Sequence, residues 1–592
     1  MSSKKKVNKI SKDIPVKQSI HIEYALLFIF AVFVVLLSTT KLNGEDDLYW
    51  HMATGKFIVE NKYVPDTDVF GFITSGTPWI PFEWLWDVTA YIIFSFSNFT
   101  GLYILTYITV ILIFYLLYSI FKKFKISTSV TILFLFIAAL GIKYRIGIKP
   151  QMFTYLFFVL LLKLIIDYKY FHVNIKKLYF IPVVFLFWAN IHMGVLAGLL
   201  IMGIFFVSEF WTYNKRNRIK PQSFIAPDKK SLITVSITSL LSVIAVLINP
   251  ANIKTYIYSL SHTNMKLLDS IYEWYSPFHP SYSGKLFIII YILFLIGVLP
   301  VFYYAFRNRD FFAGLLCPVF AIYSFRAVRF TTDFILVTIV FIVISLNFIF
   351  TVKRYSFNFN INKKPLTYIA GLLLIVSIIL TPGNQIFRII GFNSAFGTGL
   401  YQDTYPINMY NFIRDNKINE IGKRPFQTLD NGGYFIWNFP ESKNFIDSRN
   451  LNDSIYDKYM IIRDRKPGFN EQIRDCNFDY FMLFNPIMIS NNKILESSVI
   501  SYVGSNNDWV TVYWDDKSIL SVKNDDAYKE ISSKFGYKYL TPYNLYYGKV
   551  IIEKALKEDK ETLLKEVHRK QSEEPNGFYL NTFMQSYGKQ LN

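Results

Sequence analysis

The sequence carries little charge and almost no cysteine. Only 18% of its 592 residues are charged, and its two cysteines are Cys317 and Cys476. Two cysteines cannot form a disulfide framework, and we expect no bridge because Cys317 lies in a predicted membrane span and Cys476 in a predicted outer region. The chain also has no zinc-ligand spacing, no GxxxxGK[ST] loop, no GxSxG elbow and no internal repeat, so soluble NTPase and hydrolase classes lack support.

Apolar and aromatic residues dominate instead. They make up 52% and 18% of the chain, which is too apolar for an ordinary soluble protein. The first apolar run is longer than a signal-peptide core and has no small-x-small cleavage site, so we interpret it as a retained anchor. The pattern predicts a polytopic α-helical membrane protein with about eleven transmembrane helices. The predicted spans are residues 22–40, 102–121, 130–142, 151–166, 178–190, 194–211, 232–248, 286–306, 311–324, 334–352 and 366–381.

Lysine and arginine are distributed unevenly between the two sides of these spans. One side, which includes a leader at 1–21, holds roughly 24 Lys/Arg in about 73 residues, against roughly 10 in about 99 on the other side. The positive-inside rule therefore predicts a multi-pass protein of the cytoplasmic membrane with a cytoplasmic N-terminus. We interpret the net charge of +19 as this topology signal, with attraction to anionic membrane lipid, and not as nucleic-acid binding.

Three regions follow from the spans. Residues 1–21 are the cytoplasmic leader, residues 22–381 form a transmembrane domain that includes an outer loop at 42–87, and residues 382–592 form an extracytoplasmic C-terminal domain. Strand-like and helix-like pieces alternate in the last region and predict an α/β domain with a charged helical tail from about Tyr528. In the outer loop the pattern predicts a helix over 48–60, a strand over 69–73 and an aromatic helix over 79–88.

The outer loop concentrates acids, a histidine and tryptophans at the mouth of the first span. If 48–60 is helical, Asp47 and His51 lie one turn apart on one face. Asp47 is alternatively only an N-cap of that helix. Acids beside aromatic rings suit sugar recognition, whereas an interfacial belt also explains tryptophans. The other members of the group are Trp50, Trp79, Glu83, Trp84, Trp86 and Asp87.

Two cation pairs lie at the same predicted face, where basic residues are scarce. Arg145 and Lys149 share a short loop, and Arg326 and Arg329 form R-x-x-R at the end of a span. Each pair is a candidate for holding a lipid phosphate, because Arg binds two oxygens at once, and the alternative is plain snorkelling. His192 is a candidate contact for donor or acceptor, or a packed histidine.

Two further outer segments have open interpretations. The loop 249–285 is long enough to cover the site or to be an ordinary interfacial cap. Asp430, Asp447 and Arg449 lie at predicted strand ends, and we interpret them as turn residues.

The string DLYWHMATGK, followed by PDTDVF and WIPFEWL, resembles the first outer loop of bacterial integral-membrane glycosyltransferase-like proteins of the GT-C superfamily, with its D-x-x-W-H motif. The resemblance continues in order over about residues 20 to 455, through IGIKPQMFTYLF, WANIHMG, INPANIKTY and LDNGGYFIWNFPESKNFIDSRN. The chain departs from the family pattern at Tyr49, where Trp is common, at Lys149, where Arg is usual, and at Ser448, where Gly is usual.

The resemblance implies a transferase that moves a sugar from a polyprenyl-phosphate-linked donor to a glycan, lipid or protein acceptor outside the cytoplasmic membrane. It implies Asp47 as the base that deprotonates the acceptor, ahead of Asp46, with Glu83 beside it. Beside these acids, His51, Trp50, His192 and the four cations remain the candidate substrate-binding residues that their positions and chemistry indicate. No cofactor is specified; a divalent cation is compatible, and no metal ligand is assigned.

Other functions remain open at this point. A glycan polymerase or ligase of the same fold would use the same residues. A transporter would place acids or broken helices near the membrane midplane, whereas the predicted spans carry few acids. A non-catalytic assembly protein would need neither the acids nor the cations.

Overall fold

The computed structural model describes most of the chain. The predicted leader before residue 16 and parts of the predicted basic loops, at 218–220 and 353–362, lie outside the described residues. The described residues are 16–217, 224, 226–352, 363–449, 452–484 and 498–591.

Helices make up most of the fold. The first thirteen are α1 Val16–Ser38, α2 Asp46–Asn61, α3 Trp84–Lys123, α4 Thr128–Ile142, α5 Gln151–Phe171, α6 Ile181–Ile191, α7 Val195–Lys215, α8 Lys229–Val246, α9 Ile253–Ser261, α10 Leu286–Asn308, α11 Phe311–Ser324, α12 Thr331–Val352 and α13 Lys363–Leu380. The later ones are α14 Gln385–Ile390, α15 Ile407–Asp415, α16 Ile418–Ile421, α17 Gly432–Asn438, α18 Asp453–Arg463, α19 Phe469–Cys476, α20 Val499–Ser505, α21 Lys529–Phe535, α22 Pro542–Tyr547, α23 Lys549–Glu558, α24 Lys560–Glu573 and α25 Phe578–Leu591.

Helices occupy all eleven predicted spans. Within the described ranges, eight helices are long and apolar enough to cross a membrane, and α6, α11 and α13 are not among them. The predicted helical membrane fold is therefore confirmed in its class, while the number of crossings stays a prediction. The aromatic helix begins at Trp84, later than expected, and α3 contains a break at Asn98, where φ is 51°.

The C-terminal region contains a four-stranded mixed sheet. Its strands are β1 Pro425–Gln427, β2 Tyr480–Phe484, β3 Trp509–Trp514 and β4 Ser518–Lys523, in the order β1-β2-β4-β3. β1 and β2 are parallel, and the other two pairs are antiparallel. All five residues of β2 are buried because helices cover the sheet on both faces, and helices α21 to α25 form the predicted tail.

The strand predicted over 69–73 does not form. The carboxylate of Asp68 accepts hydrogen bonds from the backbone N–H groups of Phe70 and Gly71, both at 3.0 Å. An Asp side chain that takes these donors produces a turn instead of a ladder. Pairing is limited to isolated bridges, one of which joins Gly71 to Asn444.

The loop 42–87 packs directly against the C-terminal region. A buried cluster of apolar side chains joins α2 to the sheet through Leu48, Met52, Phe435 and Val512. Two segments in such contact must lie on the same side of the membrane. Which side that is, and where the domain boundaries fall, remain predictions.

Candidate active site

A cavity of about 530 Å³ lies between the ends of the transmembrane helices and the loop 42–87. Residues from α2, α3, the loops after α4 and α6, the segment 258–274 and the start of α12 line it. The predicted site residues in this lining are Asp47, Trp50, His51, Glu83, Arg145, Lys149, His192, Arg326 and Arg329. Asp46 is the only predicted site residue that does not contribute to the lining.

Asp47 faces the cavity from the first turn of α2. The N-cap of α2 is Glu45, so the capping interpretation of Asp47 does not hold. Its Oδ1 instead accepts from the Ser448 hydroxyl at 2.7 Å and from Trp50 Nε1 at 3.2 Å. Asp47 is thus an oriented acid that remains open to the cavity.

Asp46 has a different environment. Its side chain is buried and accepts from the backbone N–H groups of Gly433 and Tyr434, both at 2.9 Å, and from Ser448 Oγ at 3.0 Å. Burial raises the pKa of Asp46 to about 7, against the lowering effect of the two backbone hydrogen bonds. A Cβ atom at Gly433 would collide with the Asp46 backbone oxygen, so the close approach of these two segments requires glycine there. Asp46 ties α2 to the start of α17.

His51 connects two acids. Its Nδ1 lies 2.5 Å from Asp87 Oδ1 in α3, and its Nε2 lies 3.5 Å from Glu83 Oε2. Burial lowers the pKa of His51, but the charges of Asp87 and Glu83 outweigh it and the net pKa is raised. Burial also raises the pKa of Glu83 to about 8. Glu83 therefore holds a proton more readily than an exposed glutamate does.

His192 has a defined tautomer. Its Nδ1 accepts from the Gly194 backbone N–H at 2.9 Å and lies 2.8 Å from Thr154 Oγ1. Thr154 accepts from Trp188 Nε1 at 2.8 Å, so its own hydroxyl hydrogen is free for His192. Burial, together with Arg329 and Arg145, holds the pKa of His192 well below its usual value. The proton of neutral His192 is on Nε2, which lies 3.5 Å from Glu83 Oε1.

An acid that the sequence analysis missed joins the two cation pairs. Glu273 forms ion pairs with Arg145 and, at 3.1 Å, with Arg329. Burial alone would raise the pKa of Glu273. The charges of Arg145, Arg329 and Lys149 outweigh this effect and lower the pKa to about 2. Lys149 itself pairs with Glu45 at 2.7 Å. Over the described ranges, Arg326 has no carboxylate partner and is exposed to the cavity.

The loop 249–285 forms one wall of the cavity. It contributes His262, Glu273 and Trp274, and Arg329 lies over the Trp274 ring at 4.5 Å. The sequence signal for Glu273 was available: several cations predicted at one face require a buried counter-charge.

Asp447 and Arg449 are more than turn residues, which corrects our interpretation. Arg449 is buried between Asp68 at 2.8 Å and Asp447 at 2.6 Å, and it lies over the Trp79 ring at 4.5 Å. Arg449 also lines the cavity, so it connects the C-terminal region to the site. Asp430 lies in the 3-10 turn Leu429–Asn431 and does not contribute to the lining.

The tryptophans divide between the cavity and the core. Trp50, Trp79 and Trp274 line the cavity, but Trp79 is buried beneath Arg449 and Arg329 lies over the Trp274 ring. Trp86 is buried, and Trp84 donates to Asn190 Oδ1 at 2.7 Å. Trp84 and Trp86 therefore pack the helices instead of forming a sugar platform.

The described residues do not form a ready-made metal site. In the part of the chain that the structure describes, no group of three or more His, Cys, Asp or Glu side chains is arranged to hold a metal ion. We therefore derive no step through a divalent cation.

The fold has counterparts among solved structures. Neither the protein-family models nor the curated proteins that were searched match the sequence. The archaeal oligosaccharyltransferase AglB from Archaeoglobus fulgidus, in complex with an inhibitory peptide and a dolichol-phosphate, superimposes with a TM-score of 0.56 at 13% identity, over 86% of this chain and 75% of that one. Its form tethered to an acceptor peptide containing the NVT sequon gives a TM-score of 0.53 at 12% identity, over 85% and 74% of the two chains. At this identity the likeness shows the fold alone: the chain shares the overall fold of this oligosaccharyltransferase.

Proposed function

We propose that the protein is a membrane glycosyltransferase that transfers a sugar from a polyprenyl-phosphate-linked donor to an acceptor on the outer face of the cytoplasmic membrane. One observation carries the proposal: a single cavity is lined by an accessible, oriented acid and by cations from three separate segments. An acid to accept a proton and cations to hold a phosphate are the two needs of this reaction.

The reaction follows from the positions of these groups. Asp47 takes the proton from an acceptor hydroxyl or amide, and the freed electron pair attacks the anomeric carbon of the donor. The bond between that carbon and the phosphate oxygen breaks, and the lipid phosphate leaves with the electron pair. Arg326 and Arg329 stabilise the charge on the departing phosphate.

Glu83 and the two histidines position the acceptor in this proposal. Neutral His192 directs its Nε2 proton towards one oxygen of Glu83. His51, whose pKa is raised, lies beside the other oxygen of the same carboxyl group. A protonated Glu83 donates one hydrogen bond and accepts another, which suits a sugar hydroxyl. Because Glu83 retains its proton to about pH 8, Asp47 is the better base.

A second candidate is the transfer of a preformed glycan, as in a polymerase or ligase. The fold likeness to AglB favours it, because that protein is described as an oligosaccharyltransferase and is bound to a peptide and a dolichol-phosphate. The acceptor would then be a polypeptide or a growing glycan.

Comparing the surface glycans and lipid-linked sugars of cells with and without the protein tests the proposal. A single-sugar transferase predicts that one lipid-linked monosaccharide accumulates and that a surface glycan loses that sugar. Accumulation of a lipid-linked oligosaccharide would favour the second candidate. Unchanged surface glycans and unchanged lipid-linked sugars would contradict both.

A further inference from the structure

A second cavity, of about 470 Å³, lies at the far end of α3 from Glu83. Side chains of α1 and α3, with Leu135 of α4, line it, and they are almost entirely apolar or aromatic. The exceptions are Ser119, Lys122 and Lys123, which come from the last turns of α3. The cavity is therefore an apolar groove between two transmembrane helices with basic residues at one end.

The groove has the depth of one membrane leaflet. On α1 its lining extends from Tyr24 to Val34, and on α3 from Ile111 to Lys123. These stretches of 11 and 13 residues correspond to about 15 and 18 Å at the helical rise of ~1.5 Å per residue. The hydrocarbon core of a bilayer is ~30 Å thick, so the groove ends near the midplane.

The basic end of the groove has an unneutralised charge. Lys123 pairs with Asp167 at 2.5 Å, and the same carboxylate is 3.2 Å from Lys163. Lys122 is exposed, and in the described part of the chain no carboxylate lies within 4.0 Å of it. Asp167 is shared by Lys123 and Lys163, and Lys122 adds a charge without an acidic partner among the described residues, so this end of the groove attracts an anion at headgroup depth.

We propose that this groove binds an anionic phospholipid, with one acyl chain along α1 and α3 and the phosphate beside Lys122. A neutral lipid would fill the apolar part but leave Lys122 without a counter-charge. The proposal is independent of the transferase function, because none of the lining residues belongs to the candidate active site.

Native mass spectrometry of the full chain, released from detergent with added lipid, tests the proposal. Phosphatidylglycerol and phosphatidylcholine with identical acyl chains are compared. The protein should bind phosphatidylglycerol more tightly, by roughly fivefold for one lysine at a membrane surface. Lys122→Gln should remove this preference, while Lys230→Gln, which changes an exposed lysine outside the groove, should keep it.

Filling the groove separates chain binding from headgroup binding. Ala31 lines the groove on α1, and Ala31→Phe should weaken the binding of both lipids without removing the preference for phosphatidylglycerol in what remains. Equal binding of the two lipids by the unaltered protein would overturn the proposal. A preference that survives Lys122→Gln would also overturn it, and that exposed substitution does not depend on repacking the core.

Discussion

Asp46 and Asp47 are adjacent in sequence but have different partners. Asp46 is buried against backbone N–H groups of α17, whereas Asp47 lines the cavity and contacts side chains only. Ser448 Oγ lies 3.0 Å from Asp46 Oδ2 and 2.7 Å from Asp47 Oδ1, so its single hydroxyl hydrogen can be donated to either carboxylate but not to both. Ser448 stands where the family resemblance expects glycine. We assign Asp46 to docking of the C-terminal region and Asp47 to chemistry.

Asp46→Asn should therefore affect stability more than turnover. Asparagine keeps one acceptor oxygen, but its amide group faces donors from Gly433, Tyr434 and Ser448. A buried donor without a partner costs about 1 to 3 kcal/mol, so the melting temperature should fall while the folded fraction retains its turnover. Thermal unfolding in detergent and kcat measured well below the melting temperature check this. A variant of normal stability with no activity would instead make Asp46 the base.

The raised pKa of Glu83 predicts a pH dependence of stability. Its pKa is about 8 in the folded protein and 4.5 without the protein environment, so folding favours the protonated carboxyl group. This contribution is complete below pH 4.5 and is lost as the pH rises through about 8, with a slope of at most about 1.4 kcal/mol per pH unit. Glu83→Gln should make the melting temperature fall less steeply between pH 5 and 8, while Asp46 and His51, whose pKa values are also raised, retain their own contributions. If the melting temperature changes with pH by the same slope in the unaltered protein and in Glu83→Gln, a group other than Glu83 is responsible for the pH dependence.

At the level of elements, the sequence was informative where one local pattern determines the structure. Uncharged apolar runs predicted the membrane helices, and Asp47 to His51 lie on α2 as expected. The predicted strand over 69–73 does not form, because the side chain of Asp68 accepts hydrogen bonds from the backbone N–H groups of Phe70 and Gly71. Arg449 was misinterpreted because its partner Asp68 is 381 positions away in the chain, and no local pattern reports such a pair.

The segments that carry the cations also contribute unequally. Arg329 is held by Glu273 in the loop 249–285, whereas Arg326 projects into the cavity without a carboxylate partner in the described part of the chain. Arg326 is therefore the cation most available to a phosphate, and Arg329 in addition anchors the loop.

Arg326→Gln should weaken the use of the lipid donor without destabilising the protein. One charge-assisted hydrogen bond contributes about 1.5 to 3 kcal/mol, which corresponds to a loss of roughly 10- to 150-fold in kcat/KM for the donor. Arg388→Gln, at an exposed position outside the cavity, is the matched control. Steady-state kinetics with varied donor measure the effect. Unchanged kinetics in Arg326→Gln would show that Arg326 does not bind the donor and only extends its charge to the membrane boundary.

For the whole molecule, the arrangement depends on the loop 42–87 and the C-terminal region sharing one side of the membrane. The buried Asp68–Arg449 pair and the Asp46 contacts with α17 both require it. The lysine and arginine asymmetry predicts that this side is extracytoplasmic.

Cysteine labelling tests that orientation. Ser75 and Ser505 are exposed, and the two native cysteines are buried. A cysteine introduced at either serine should react with a membrane-impermeant thiol reagent in intact spheroplasts. The protein without an introduced cysteine is the control. Labelling that occurs only after permeabilisation would place these serines on the cytoplasmic side and would contradict an active site on the outer face.

The proposed role of Asp47 gives the most direct test of the account. The variant Asp47→Asn keeps the size of the side chain and an acceptor for Ser448, so the melting temperature should stay near that of the unaltered protein. It cannot accept a proton at neutral pH, so the transfer rate should fall by about 10² to 10⁴. The measurement is single-turnover transfer from a polyprenyl-phosphate-linked sugar in proteoliposomes, alongside thermal unfolding of the same preparations. A stable Asp47→Asn protein that retains most of the transfer rate would contradict the account.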